Sequence, residues 1–423
     1  MVLLAKSVTR AGLLIHSVFF LQFACLPAYA SPVSKIQPNN AGFWQGSAES
    51  DGPAQPAPLK PGFAKPGATY ETDESFDRYY QKINKQLKQR VALISLEISK
   101  HWPSVEMSGK SIWVEYGADW RSKRVVDYAS NEIRVSSLED MSHIEVKEFA
   151  LSELKGLLGM TILAALRHDP GLAPIMSIDA ESYLDDKLVF SELFKSEKPS
   201  SNDIARLAQR LMLRAYVRYQ DQIASRGNAD LSKKVTYVIP LPKSRMRDKA
   251  REYLPYVKKY SNEFQIPADV MMAIMHTESH FNPLARSHVP AFGLMQIVPR
   301  TAGRDASGVL FNKKKLLSAG FLYKPDNNIR VGAAYLNVLS FRYLKKIENP
   351  VSRLYCMVAA YNTGSANVAR AFTHVPKMQK AVTIINRMSN QQVLMRLIKY
   401  LPQRETRDYV EKVLKRRKAY SRV

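Results

Sequence analysis

The stretch Pro267-Ala268-Asp269-Val270-Met271-Met272-Ala273-Ile274-Met275-His276-Thr277-Glu278-Ser279-His280-Phe281-Asn282-Pro283 has the pattern of one helix closed by a turn. Pro267 suits a first helical turn. Met271, Ile274 and Met275 recur at helical spacing, so a helix is expected over Ala268 to Ser279. Glu278 comes one turn after Ile274 and Met275 and projects from the same apolar side, near the helix end. Partial burial disfavours a charged carboxylate, so a carboxyl placed there can hold a proton near neutral pH. A general acid for glycosidic cleavage needs that property. A structural Glu hydrogen-bonded to a nearby loop suits the same position, and this helix alone does not separate the two.

His276 and His280 flank Glu278 at i and i+4, the spacing of two zinc ligands on one helix face. The metalloprotease pattern places Glu directly after the first His, whereas the order here is His276-Thr277-Glu278-Ser279-His280, and no third ligand follows. No metal and no cofactor is expected, and the two histidines read as polar residues at a cleft edge or surface.

Beyond this helix the chain from Ser244 onward is mostly helical, with helices expected over Arg251 to Glu263, Ile329 to Lys346, Val351 to Tyr361 and Glu405 to Tyr420. Three segments there carry polar groups where a ligand could be met. Gly293-Leu294-Met295-Gln296 sets an amide beside a glycine. Tyr361-Asn362-Thr363-Gly364 ends a helix with a phenol and an amide. Glu405-Thr406-Arg407-Asp408-Tyr409-Val410 opens the last helix with another aromatic.

Toward the N-terminus, Phe76, Tyr80, Ile83, Leu87 and Val91 mark an amphipathic helix, and Ile112, Val114 and Tyr116 then alternate, as do Ile133 and Val135. Helical patterns return over Val146 to Arg167 and Asn202 to Ser225, and Val235 to Pro240 reads as a closing strand. Residues 71–243 are therefore expected to form a small α+β domain and residues 244–423 a helical one, an α+β protein as a whole. His101, His143 and His168 are scattered singly and read as exposed or capping residues. Residues 31–70 are rich in Pro, Gly and Ala and read as a linker.

Residues 1–30 have the layout of a signal peptide: Lys6 and Arg10, an apolar run from Ala11 to Cys25, and Ala28-Tyr29-Ala30 as a cleavage site. Cys25 could instead carry a lipid, but Gln22-Phe23-Ala24 lacks the aliphatic residue that a lipobox has three positions upstream. Cleavage after Ala30, a soluble periplasmic product and a packed thiol at Cys356 are the expectation. Export argues against nucleic acid as the partner of a chain with net charge +24. From Leu241 to Val423 there are 33 Lys+Arg against 11 Asp+Glu, so about +22 belongs to the helical part.

Taken in order, Glu278-Ser279-His280-Phe281-Asn282-Pro283, Gly293-Leu294-Met295-Gln296, Asn328-Ile329 with Gly332-Ala333-Ala334-Tyr335-Leu336, Ala360-Tyr361-Asn362-Thr363-Gly364 and Glu405 to Val410 resemble the transglycosylase SLT domain. The stretch Phe76 to Asn84 and the hairpin after it more loosely resemble the companion domain of the membrane-bound lytic murein transglycosylase C type. The resemblance implies a lysozyme-like fold and cleavage of peptidoglycan glycan strands without water as nucleophile. It implies Glu278 as acid and then base, Ser279 bonded to the catalytic group or substrate, and Met295 and Gln296 lining sugar subsites. It further implies Tyr361 close to Glu278, and Asn362 and Tyr409 in cleft support and sugar contact. Outer-membrane association is implied for that type, and the poor lipobox departs from it. A peptidoglycan-binding protein without activity and a hydrolytic muramidase are the rival readings. Asp269, Asp305 and Asp326 lie outside the matched motifs, and none is an obvious second catalytic carboxylate.

Overall fold

The computed structural model describes residues 73–139, 141–169, 183–184, 187–220, 234–287 and 290–422. The signal peptide, Cys25 and linker readings lie outside them. The chain opens with helix α1 (Asp73–His101) and continues into strands β1 (Ile112–Tyr116), β2 (Ser122–Asp127) and β3 (Glu132–Ser137). Helices α2 (His143–Leu158), α3 (Ile162–His168) and α4 (Ser201–Met212) follow, then β4 (Tyr216–Gln220) and β5 (Lys234–Pro240). The five strands form one antiparallel sheet in the order β1-β2-β3-β5-β4.

Three expectations change here. The helix expected over 202–225 stops at Met212, and the chain turns back as β4, where Tyr216, Val217 and Tyr219 suit a pleated surface better than a helix. The closing strand, β5, lies inside the sheet, paired with β3 on one side and β4 on the other. The helical stretch over 146–167 is two helices, because Thr161 caps the second by accepting from the Ala164 N–H at 3.1 Å.

The helical part comprises α5 (Arg245–Phe264), α6 (Ala268–Ser279), α7 (Arg304–Phe311), α8 (Ala319–Tyr323) and α9 (Pro325–Val338). It continues with α10 (Pro350–Thr363), α11 (Ser365–Thr373), α12 (Met378–Ile385), α13 (Asn390–Tyr400) and α14 (Arg404–Arg417). The single helix expected over Ile329 to Lys346 gives way after Val338 to a wider π turn, Leu339–Tyr343. Cys356 is buried within α10, as expected for a packed thiol.

One continuous apolar core runs from Trp113, Val126, Ile133 and Val135 of the sheet, through Leu154 and Leu158 of α2, to Met271 and Ile274 of α6 and Val410 and Val413 of α14. The described residues belong to one compact unit. The sheet and the helices also meet through buried charge. Arg245 and Lys249 of α5 face Glu192 at 2.8 and 3.0 Å, with all three side chains 1% exposed. Lys249 also reaches Glu252 at 3.0 Å, and the Arg245 guanidinium lies 4.8 Å from the ring centre of Tyr128, just beyond β2. Removing one member of such a cluster leaves an uncompensated buried charge. Glu192→Gln is therefore expected to lower the unfolding free energy by about 3–5 kcal/mol, read from urea midpoints.

Candidate active site

Helix α6 ends abruptly one residue after Glu278. His280 (φ 52°) and Phe281 (φ 61°) are both left-handed, a conformation that costs non-glycine residues and persists only where the surroundings enforce it. The His280 N–H donates to the His276 carbonyl at 3.2 Å, and the fully buried Phe281 ring stacks on His276 with centroids 5.4 Å apart. The buried Asn282 side chain accepts from the Leu284 N–H at 2.9 Å and donates to the Lys110 carbonyl at 3.2 Å. This turn leaves Glu278 only 5% exposed. Lys110, in the loop before β1, places Nζ 3.3 Å from Glu278 Oε2.

A second loop is built opposite. Gly293 has φ 73°, and a Cβ there would strike the Asn328 side-chain amide and lie 2.7 Å from the Leu322 carbonyl oxygen. Asn328 of α9 is fully buried because it staples this loop, accepting from the Met295 N–H at 2.8 Å and donating to the Phe292 and Leu322 carbonyls at 2.8 and 2.7 Å. Gly332, one turn along α9, makes room for the Met295 thioether, which would otherwise meet a Cβ. The Tyr361 hydroxyl donates to the Met295 carbonyl at 2.8 Å, tying α10 to the loop. Burial, and then the Glu278 charge, lift the Tyr361 phenol well above its ordinary range, so it stays a neutral donor.

The expected residues converge with some changes of role. Tyr361 and Tyr409 both lie close enough to Glu278 to feel its charge. Tyr409 is buried, its hydroxyl has no hydrogen bond of good geometry, and burial raises its ionisation above the phenol range. Gln296 is left-handed (φ 50°); its Nε2 donates to the Gly293 carbonyl at 3.0 Å, while its buried Oε1 has no partner. Asn362 accepts from the Thr406 hydroxyl at 2.8 Å, joining α10 to α14. Met295 is fully buried against Gly332, so its side chain shapes the loop from behind rather than lining an open subsite. Ser279 is also fully buried, and its hydroxyl donates back to the Met275 carbonyl at 3.0 Å within α6.

His276 and His280 are half-buried at the end of α6. Tyr420 Oη lies 3.0 Å from His276 Nδ1, and Arg416 donates to the His276 carbonyl at 2.8 Å and contacts His280 Nε2 at 3.0 Å. No group of three or more potential metal ligands occurs among the described residues. Asp269, Asp326 and Asp305 are engaged elsewhere, with Arg417 at 2.6 Å, Tyr260 at 2.6 Å and Tyr343 at 2.9 Å. The residues that sequence reasoning missed are Lys110, which no local pattern marks, and Asn328 as the loop staple.

Residues 255–384 match the family model of the transglycosylase SLT domain. Membrane-bound lytic murein transglycosylase C of Klebsiella pneumoniae is 33% identical over 322 residues, 75% of this chain and 84% of that protein. The chain belongs to the SLT-domain lytic murein transglycosylase family. Another family member, membrane-bound lytic murein transglycosylase C of Actinobacillus succinogenes, is 42% identical over 178 residues, 41% of this chain and about half (48%) of that protein. The 70 kDa soluble lytic transglycosylase of Escherichia coli is 29% identical, with a TM-score of 0.30 over 39% of this chain and 23% of that one.

Two predictions follow from the packing of this site. Gly293→Ala combines a left-handed residue with a collision against backbone, and is expected to lower stability by about 2–4 kcal/mol in denaturant unfolding. Burial, then the Arg416 charge, depress His276 to about 3 and His280 to about 4, from 6.5. Both rings thus resist protonation in the folded state only. Above pH 6.5 they contribute no pH dependence; as pH falls from 6.5 toward 4 the unfolded chain gains protons that the folded one refuses. Stability should drop there by up to about 1.4 kcal/mol per pH unit per ring, and a His280→Gln variant should show a shallower drop in urea titrations across that window.

Proposed function

We propose that this chain, a peptidoglycan lytic transglycosylase by family, cleaves the β-1,4 bond between N-acetylmuramic acid and N-acetylglucosamine with Glu278 as its one acid and base. The Glu278 carboxyl gives its proton to the glycosidic oxygen, and the bond from that oxygen to C1 of the muramic acid breaks. The resulting carboxylate takes the proton from the same sugar's 6-hydroxyl, whose oxygen closes onto C1 as a 1,6-anhydro ring. The leaving sugar keeps the first proton as a free hydroxyl, the enzyme regains its own, and no water is consumed. One carboxylate serves both steps because the substrate supplies the nucleophile, unlike the paired carboxylates of hydrolases.

The observation that carries this reading is Glu278 itself, a buried carboxyl at a strained helix end, facing two phenols that stay neutral. Tyr361 steadies the positive charge that builds on C1 and holds the loop of Met295 and Gln296, whose unpartnered amide oxygen suits a sugar hydroxyl. The charge of about +22 on residues 241–423 attracts the carboxylates of the stem peptides over a range that salt shortens. Residues 71–243 act as a companion to the 244–423 catalytic part. Export on residues 1–30, with cleavage after Ala30, brings the enzyme to the periplasm; a lipid at Cys25 holding it at the outer membrane is the alternative. No helix among the described residues is long and apolar enough to cross a membrane.

The test is digestion of purified sacculi with mass analysis of the released muropeptides. The native chain should release anhydro products, and Glu278→Gln should lose at least about 10³-fold of that release while keeping its melting temperature. Reducing ends would instead mean that water attacks, and binding without release would mean that the cleft is not catalytic.

A further inference from the structure

The catalytic helix end is not closed by the helical part alone. The Gly109 carbonyl accepts from the Arg286 N–H at 3.2 Å, and the Lys110 carbonyl accepts from Asn282, so the loop between α1 and β1 docks by backbone beside Glu278. These contacts do not use the Lys110 side chain. That side chain is 42% exposed, yet it ends 3.3 Å from a carboxylate oxygen that is itself nearly inaccessible. Glu278 raises the Lys110 ammonium against the opposing effect of burial, and Glu405 of α14 raises it further.

We infer that Lys110 is a positioning residue of the reaction, supplied by the sheet side, whose ammonium orients the Glu278 carboxyl and stabilises the negative charge that forms there as the proton leaves for the glycosidic oxygen. Charge that appears only as the reaction proceeds is stabilised most by a partner already fixed in place. The ionisable groups around Glu278 support this assignment. Tyr361 of α10 and Tyr409 of α14 stay neutral, and Arg416 of α14 is spent on His276 and His280. Tyr420 of the turn after α14 binds His276, and Tyr253 of α5 lies against Phe281. Among the described residues, Lys110 is thus the cation in contact with the carboxylate.

This inference rests on Glu278 being the acid, and the test separates the two. Activity on sacculi is measured from pH 4 to 9 for the native chain, Lys110→Met, Lys110→Arg and Glu278→Gln, each checked for its melting temperature. Lys110→Met should lower kcat and kcat/KM alike, by roughly tenfold, because the charge that forms only as the reaction proceeds loses its fixed partner. Lys110→Arg should restore both, which a merely structural side chain would not require. A Lys110→Met variant with native kcat and kcat/KM overturns the inference, while an active Glu278→Gln overturns the proposed function beneath it. If Lys110→Met fails to fold, Lys110→Gln is read by the same two criteria.

Discussion

A carboxylate shut away from water must find its solvation within the protein, and much of this fold is arranged around that demand at Glu278. Helix α6 is apolar enough to be buried on nearly every side, so its C-terminal end enters the core with a carboxyl attached. Two consecutive left-handed residues turn the chain away before the helix can go on. Their cost is met by packing, with Phe281 seated among His276, Tyr253 and Tyr420, and with Asn282 bonded both to its own turn and to the sheet side. The phenols of α10 and α14 and one ammonium then surround the carboxyl.

The loop facing Glu278 obeys a related constraint. Residues 291–297 are all buried, so the main-chain polar groups of this loop must be satisfied from within the protein. Asn328 does this with three hydrogen bonds from a fully buried position, and Gly332 on the next turn of the same helix leaves the volume that Met295 fills. Tyr361 is shared between the loop and the carboxyl, so displacing the loop also displaces a neighbour of Glu278.

The legible parts of this arrangement are those encoded locally. Helix α6 runs over the residues that its apolar spacing indicates, and Tyr361, near the end of α10, and Tyr409, in the first turns of α14, come close enough to Glu278 to feel its charge. Their roles were less legible than their places. Ser279 and Met295 stand where the motifs put them, yet both are fully buried, because a short hydroxyl on a helix bonds back to its own turn and a thioether beside a glycine fills the gap. The β4 strand was hidden for a similar reason: Leu211 and Met212 continue the apolar spacing of α4, and what ends the helix is the pairing of Tyr216 to Gln220 with β5, a contact distant in sequence.

Lys110 lies beyond any local reading. Nothing in Ser108-Gly109-Lys110-Ser111 sets this lysine apart from the many others in the chain, and its partner is 168 residues away. It is placed by the register of β1 on β2, by the continuous core that holds the sheet against α6, and by the buried charges of Arg245, Lys249 and Glu192 at the same junction. The sheet side therefore sets the surroundings of the Glu278 carboxyl as well as packing on the helices. A change at that junction would reach Glu278 by moving one ammonium relative to one carboxylate, and the Coulomb energy of such a pair falls as the two separate. The sheet and the Glu278 carboxyl are thus electrostatically coupled, and the part of the chain that carries none of the five matched motifs bears on the residue proposed as acid and base.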